Sequence, residues 1–140
     1  MRYPLCICLS GTLSGMPALA ADPVLTVHLE GVVHAAGQLH IGVYDNAETF
    51  RKEAQASAVR VVPAAAGRVS VPFDALRPGR YAVMAWHDED GDGEFKRRFG
   101  MIPVEGYGLS GNPDKAGPPA FADSAFDLPA AAEQTIRMRY

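Results

Sequence analysis

The chain has 140 residues, 48% of them hydrophobic, and a formal net charge of −3 at pH 7. This length suits one ordinary domain with its own core, and the mildly acidic balance gives no electrostatic basis for binding nucleic acid. The basic run Lys96-Arg97-Arg98 is too short to change that conclusion.

The first twenty residues are predicted to be a secretory signal peptide. They carry one cation, Arg2, then an apolar stretch broken by glycine, serine and proline, and they end in an A-x-A pattern at 18–20. The stretch is too short and too interrupted for a transmembrane span. Residues 21–140 are therefore expected to form a single domain that is periplasmic or secreted. Cys6 and Cys8 both fall in the signal peptide, so this domain must rely on its core rather than on disulfides.

Two segments at the start of this domain, 24–32 and 38–45, alternate apolar and polar side chains. A period of two is typical of half-buried antiparallel strands, and the short link between them predicts a hairpin. On such a hairpin His28 and His40 would be neighbours on the outer face, where two imidazoles could hold copper or zinc. Because no third ligand is in view, two exposed surface histidines are the simpler interpretation.

Residues 46–58 are the only helical candidate, with Asn46 placed to cap one short helix or turn. The long Gly/Pro-rich stretch after Gly100 predicts a loop. About seven short strands, with at most one short helix, predict an all-β fold: a single antiparallel β-sandwich. The further strands are expected at 58–62, 68–73, 80–87, 126–128 and 133–140.

The strongest chemical signal is the acidic run HDEDGDGEF, residues 87–95. Its aspartates alternate and are followed by Gly93, which matches D-x-D-x-D-G. Carboxylates at alternating positions of a tight loop can converge on a hard cation such as Ca²⁺, which takes six to eight oxygen ligands. The run is not an EF-hand, because its twelfth position is Phe99 and a strand precedes it. The predicted metal ligands are Asp88, Asp90, Asp92 and Glu94, the last through its backbone carbonyl.

Two features qualify this calcium hypothesis. Lys96 places an ammonium within the acidic loop, and a further carboxylate would have to come from Glu105 or Asp114 in the long loop. The alternative is a solvated turn in which Lys96, Arg97 and Arg98 partly neutralise the acids, through exposed pairs worth about 0–1 kcal/mol each. Against that alternative, clustered carboxylates without a counterion repel one another.

A ligand pocket is a second candidate. Trp86, His87, Glu105 and Tyr107 could line a shallow pocket under the long loop, although aromatic side chains that merely pin a glycine-rich loop are the simpler interpretation. His87 beside Asp88 also suggests acid–base chemistry. No serine lies in a nucleophile motif and the exported chain would have no cysteine, so no catalytic residue is assigned and an enzyme is not expected.

The runs PGRYAVMAWHDEDGDGEF, IPVEGYGLSGN, GPPAF and FDL resemble the bacterial domain-of-unknown-function family numbered 2141, from Leu25 to Arg139. The pattern F-x-x-L-x-P-G-x-Y-x-V at 73–83 is similar to prealbumin-like and carboxypeptidase-regulatory-like sandwiches. The resemblance implies a small exported β protein that serves as a binding or structural module. It does not imply any particular activity.

The favoured function is thus an exported binding or structural module with an envelope protein or a small ligand as partner, and its acidic loop is either a solvated turn or calcium-stabilised. Two alternatives stay open. One is a periplasmic hydrolase that uses His87 with a nearby carboxylate, and the other is an envelope accessory protein that recruits partners through an exposed strand edge.

Overall fold

Residues 24–99, 102–115 and 117–140 are the part of the chain that the computed structural model describes, and ten strands lie within it. The predicted signal peptide and both cysteines lie outside this part. The first five strands are β1 (Leu25–Val32), β2 (Gln38–Tyr44), β3 (Ala58–Pro63), β4 (Gly67–Phe73) and β5 (Gly79–Asp88). The others are β6 (Arg97–Arg98), β7 (Ile102–Pro103), β8 (Tyr107–Leu109), β9 (Phe126–Leu128) and β10 (Glu133–Arg137).

The smaller sheet has the order β10-β1-β4. Because successive side chains of a strand point to opposite faces, the alternation in β1 places Leu25, Val27 and Leu29 on one face, and all three are fully buried. β4 pairs antiparallel with β1, whereas β10 pairs parallel with it and sets Ile136 opposite Leu29. The buried face of this sheet is one half of the core.

The larger sheet has the order β3-β2-β5-β8, and β9 pairs with the first residues of β5. Every residue of β5 from Tyr81 to Asp88 is buried, so both faces of the sheet are covered here. Between β9 and β8 the Ser110 hydroxyl accepts the Val83 N–H (2.9 Å) and donates to the Ser124 carbonyl (2.6 Å). β5 is therefore held along its whole length, which fixes the direction of the side chains at its end.

The core lies between the two sheets, and its side chains come from alternate positions of the inner strands. This arrangement confirms the predicted all-β sandwich. It differs from the prediction in having a parallel β1–β10 pair and ten strands rather than about seven. The three additional strands have only two or three residues each: β6 follows the acidic run, and β7 and β8 lie within the long loop. Larger contributors to the core are Leu25, Leu29, Leu39, Ile41, Val43, Val71, Phe73, Val83 and Ile136.

The predicted hairpin between the first two strands is wrong. β1 and β2 belong to different sheets, so the link between them crosses from one sheet to the other. Alternation indicates a strand but does not name its partner, which explains the error. His28 and His40 are consequently not a pair: His28 hydrogen-bonds Ser70 (2.7 Å) and His40 bonds Glu53 (2.9 Å).

The expected helix at 46–58 is a turn followed by a 3-10 segment, Glu53–Gln55. Asn46 does accept the Thr49 N–H (3.0 Å) through its side chain, as a cap would. In the described part of the chain the α-helical segment is a single turn, α1 (Phe121–Ser124). No helix there has the length and apolar character that crossing a membrane requires.

Candidate functional site

The outer face of the larger sheet, turned away from the core, carries an unusual set of buried side chains. Strand pairing sets His40 opposite Trp86, and Tyr44 and Met84 lie further along the same face, with Asp88 at its end. All five side chains are buried. Three segments distant in sequence cover this face, and they contribute Phe50, Ala56, Phe95 and Phe121.

Asp88, the last residue of β5, is fully buried and anchors the acidic loop. One of its carboxylate oxygens accepts the N–H groups of Gly91 (3.0 Å) and Asp92 (3.1 Å), and the other accepts the N–H of Gly93 (2.8 Å). Gly91 and Gly93 have φ of +73° and +75°, a left-handed region that favours glycine. The D-x-x-G-x-G spacing therefore wraps the backbone around one buried carboxylate.

Four acidic side chains meet at this loop. Asp88, Asp90, Asp92 and Glu105 each bring a carboxylate oxygen within 4.8 Å of the others. Three of them are predicted metal ligands, and Glu105 supplies the additional carboxylate expected from the long loop. The carboxylate of Asp114 is not in this group. Glu94, which is predicted to bind through its backbone carbonyl, donates its N–H to Asp92 (3.0 Å).

Lys96 provides a positive charge at the exposed side of the cluster. Its ammonium contacts Asp90 and lies 2.7 Å from Asp92, and the hydrogen bond from Lys96 holds the pKa of Asp90 at about 2. The same contacts raise the pKa of Lys96. Asp88 and Glu105 do not contact this ammonium.

Glu105 lies at the buried side of the cluster, and its side chain accepts the backbone N–H of Lys96 (3.1 Å). Burial raises the pKa of Glu105, and the nearby Asp88, Asp90 and Asp92 raise it further. The cluster thus concentrates negative charge that one ammonium only partly balances.

A polar chain runs from the acidic loop across the outer face. Glu53 accepts the Trp86 indole N–H (2.8 Å) through one oxygen and contacts His40 Nδ1 (2.9 Å) through the other. His40 stacks on Trp86 with ring centroids 4.2 Å apart. Its Nε2 atom is buried without a hydrogen-bond partner and lies 3.6 Å from Asp88 Oδ2. Sequence reasoning missed Glu53 because nothing in the 46–58 segment indicates which face it covers.

The four residues predicted to line one pocket do not all lie together, although Tyr107 on β8 is directly opposite Trp86 on β5. His87 faces the other side of the sheet from Trp86, since the two are consecutive in β5. Glu105 belongs to the acidic cluster. Trp86 borders a groove of about 520 Å³ on the outer face, while Tyr107 borders a separate cavity of about 30 Å³ beside Asn112.

His87 is fully buried and both of its ring nitrogens are engaged. Nε2 lies 2.6 Å from the Ala36 carbonyl oxygen, to which it donates, and Nδ1 accepts the Tyr140 hydroxyl at 2.8 Å. His34 and Glu89 lie close enough to form a metal-type cluster with it. A metal at His87 would have to displace one of these hydrogen bonds, so the all-carboxylate cluster is the stronger cation site.

The sequence model of the bacterial family described as "Uncharacterized protein conserved in bacteria (DUF2141)" matches residues 27–137. The chain therefore belongs to this family, as its motifs predict. No curated protein and no solved structure gives a significant match.

Proposed function

We propose that the protein is an exported, non-catalytic binding module whose acidic loop binds a divalent cation, with Ca²⁺ as the best-fitting ion. The observation that carries this proposal is the convergence of Asp88, Asp90, Asp92 and Glu105 within 4.8 Å. An all-oxygen donor set suits a hard cation, and loop carbonyls and water can complete the six to eight oxygens that Ca²⁺ takes.

The organisation of the loop supports the same proposal. Three backbone N–H groups already fix the Asp88 carboxylate, so binding an ion would not require that side chain to be ordered first. An extracellular or periplasmic location, which the signal pattern at 1–20 favours, suits calcium sites with dissociation constants of about 10⁻⁴–10⁻³ M.

Lys96 defines the competing interpretation, in which its ammonium is the permanent counterion of the cluster. This ammonium contacts Asp90 and Asp92 but not Asp88 or Glu105. Swinging Lys96 into solvent would free two carboxylates for the cation. Lys96 is therefore expected to compete with Ca²⁺ and to lower the affinity of the site.

The non-catalytic part of the proposal draws on His87. A general acid or base must reach the proton that it transfers, yet this ring is fully buried and hydrogen-bonded at both nitrogens. That geometry favours a structural role for His87 over the hydrolase alternative.

Calcium titration of the purified protein tests the proposal. Isothermal titration calorimetry should detect binding, and at ten times the dissociation constant CaCl₂ should stabilise the fold by about 1.4 kcal/mol. Asp90→Ala should abolish both effects. Asp114→Ala is the matched control, since this acid of the long loop lies outside the cluster, and it should bind as the parent does.

Lys96→Gln separates the two interpretations. If the ammonium competes with the ion, this variant should bind Ca²⁺ roughly five-fold more tightly, because a positive charge next to the site is removed. If Lys96 is the permanent counterion, the parent will not bind Ca²⁺, and only the variant, which is destabilised by the loss of the ammonium, will bind it. No binding heat and an unchanged melting temperature for the parent in millimolar CaCl₂ would overturn the proposal.

A further inference from the structure

A second site lies beside the acidic loop. The groove of about 520 Å³ runs over the outer face of the larger sheet, between the 46–56 segment and the end of the acidic loop. Its volume is within the range of about 300–1,000 Å³ that small-molecule sites occupy. The residues that matter here are Tyr44, Arg51, Glu53, Trp86, Phe95 and Arg97.

The charges around this groove are unbalanced. Arg51 and Arg97 both line it, and within the described residues neither guanidinium contacts a carboxylate. Glu53, which lines the groove as well, has one oxygen bonded to His40 and the other to Trp86. Two guanidinium groups therefore remain available in a protein that is acidic overall.

Arg51 is held in an unusual state. Its Nε atom is buried without a hydrogen-bond partner, which costs free energy unless another molecule supplies an acceptor. Its backbone has φ of +68°, in the left-handed region that a long side chain rarely adopts. Strained backbone of this kind collects at ligand sites, where the surroundings enforce it.

The walls of the groove are aromatic. Trp86 is fixed by its bond to Glu53 and lies 5.6 Å from the ring of Phe95. The Arg97 guanidinium lies over Phe95 at 5.1 Å. Burial and the nearby Glu53 raise the pKa of Tyr44 to about 12, so this ring stays uncharged at neutral pH. Flat apolar surface next to free guanidinium groups suits a flat apolar body that carries an anion.

We propose that this groove binds small aromatic carboxylates, with the ring against Trp86 and Phe95 and the carboxylate on Arg51 and Arg97. Guanidinium is the side-chain group that matches a carboxylate with two parallel hydrogen bonds, so arginines that line the groove favour a carboxylate ligand. This names the ligand class of the proposed binding module, and it rests on that module role but not on the cation.

The loop connects the two sites physically. Gly93 lines the groove while its N–H donates to Asp88, so the segment that surrounds the cation cluster is also one wall of the groove. Aromatic carboxylate binding is consequently expected to tighten when Ca²⁺ fixes the loop.

The test uses 2-naphthoate and its neutral analogue 2-naphthamide, with calorimetry as the readout. Trp86 is the only tryptophan of the chain, so a change in its fluorescence reports binding at the groove itself. The carboxylate should bind at least about tenfold more tightly than the amide, because the amide has no charge and offers guanidinium only one acceptor oxygen.

Arg51→Gly removes the guanidinium and suits the left-handed backbone, so this variant should fold and lose about tenfold or more in 2-naphthoate affinity. Arg97→Ala should also bind 2-naphthoate less tightly than the parent. Arg60→Ala is the matched control, since Arg60 lies on β3 at 3.5 Å from Asp74 and away from the groove, and its affinity should equal the parent's.

The inference would be overturned by equal binding of carboxylate and amide, or by an equal loss of affinity in Arg51→Gly and Arg60→Ala. Absence of 2-naphthoate binding at millimolar concentration would do so as well. Running each titration in EDTA and in CaCl₂ keeps the proposals apart. If 2-naphthoate binds in EDTA but Ca²⁺ does not bind, only the proposed cation site is overturned. If Ca²⁺ binds but 2-naphthoate does not, only the proposed ligand groove is overturned.

Discussion

The inner face of the larger sheet is packed with Leu39, Ile41, Val43, Val83 and Ala85, whereas its outer face buries histidine, tryptophan, aspartate and tyrosine. The inner residues are covered by a second sheet of the same alternating pattern. The outer residues are covered by turns and loops from elsewhere in the chain, and hydrogen bonds hold these segments in place. Two buried faces thus depend on different forces, and the acidic cluster and the groove both lie on the polar face.

Removing an apolar side chain from the inner face should have the largest effect. Ile41 is fully buried, so Ile41→Ala should lower the free energy of unfolding by about 2–5 kcal/mol, through lost apolar burial and the cavity that remains. Urea denaturation measures this. Val61→Ala, at a position that is 46% exposed on β3, should change stability by about 0.5 kcal/mol or less. Similar losses in both variants would contradict the proposed core.

Changing the buried carboxylate on the outer face should have an intermediate effect. Asp88→Asn keeps the shape but replaces an acceptor of backbone N–H groups with an amide donor, so it should cost about 1–3 kcal/mol in EDTA. The same denaturation experiment measures it. Asp127→Asn makes the identical change at an exposed position of β9 and should be nearly neutral. If Asp88→Asn and Asp127→Asn lost the same amount of stability, the Asp88 carboxylate would not be needed to hold the acidic loop.

The smallest expected effect is a dependence of stability on pH that comes from Glu105 at the outer face. Because burial raises the pKa of Glu105 above its ordinary value of 4.5, the folded protein binds this proton more tightly than the unfolded chain does. The contribution of Glu105 to stability should therefore fall as pH rises from 4.5 through the folded pKa. The free energy of unfolding of the parent and of Glu105→Gln can be measured in EDTA between pH 4 and 8. As pH rises, the parent should lose stability relative to Glu105→Gln.

Calcium should oppose that trend, because the ion favours ionised Glu105. If the stability difference in EDTA did not change with pH, or if the parent gained stability relative to Glu105→Gln, burial would not determine the pKa of Glu105. The pKa of Asp90 in the same cluster is lowered instead, so the contribution of Asp90 to stability should change with pH in the opposite direction.

The inner face could be predicted from the sequence and the outer face could not. Alternation located β1 and β2, whose period of two names their core residues directly, and the aromatic and β-branched residues of 80–87 located β5. β5 is the exception: it is buried on both sides, and alternation alone cannot say that Trp86 and Asp88 are covered as fully as Val83.

The acidic cluster was partly predictable for a local reason. Asp88, Asp90 and Asp92 are near neighbours in the chain, so loop geometry brings them together. Glu105 could be named only as one of two candidates, since the path of the long loop decides between it and Asp114. The contacts of Glu53 and Arg51 depend on how the 46–56 segment folds back over the sheet, and no short-range pattern encodes that.

The parallel pairing of β1 with β10 has a consequence for how the molecule is made. β1 comes first among the described strands, is central in its sheet and needs residues 133–137 as its neighbour on one side. This sheet cannot be completed until β10 has been synthesised. Until then one edge of β1 has no strand to pair with.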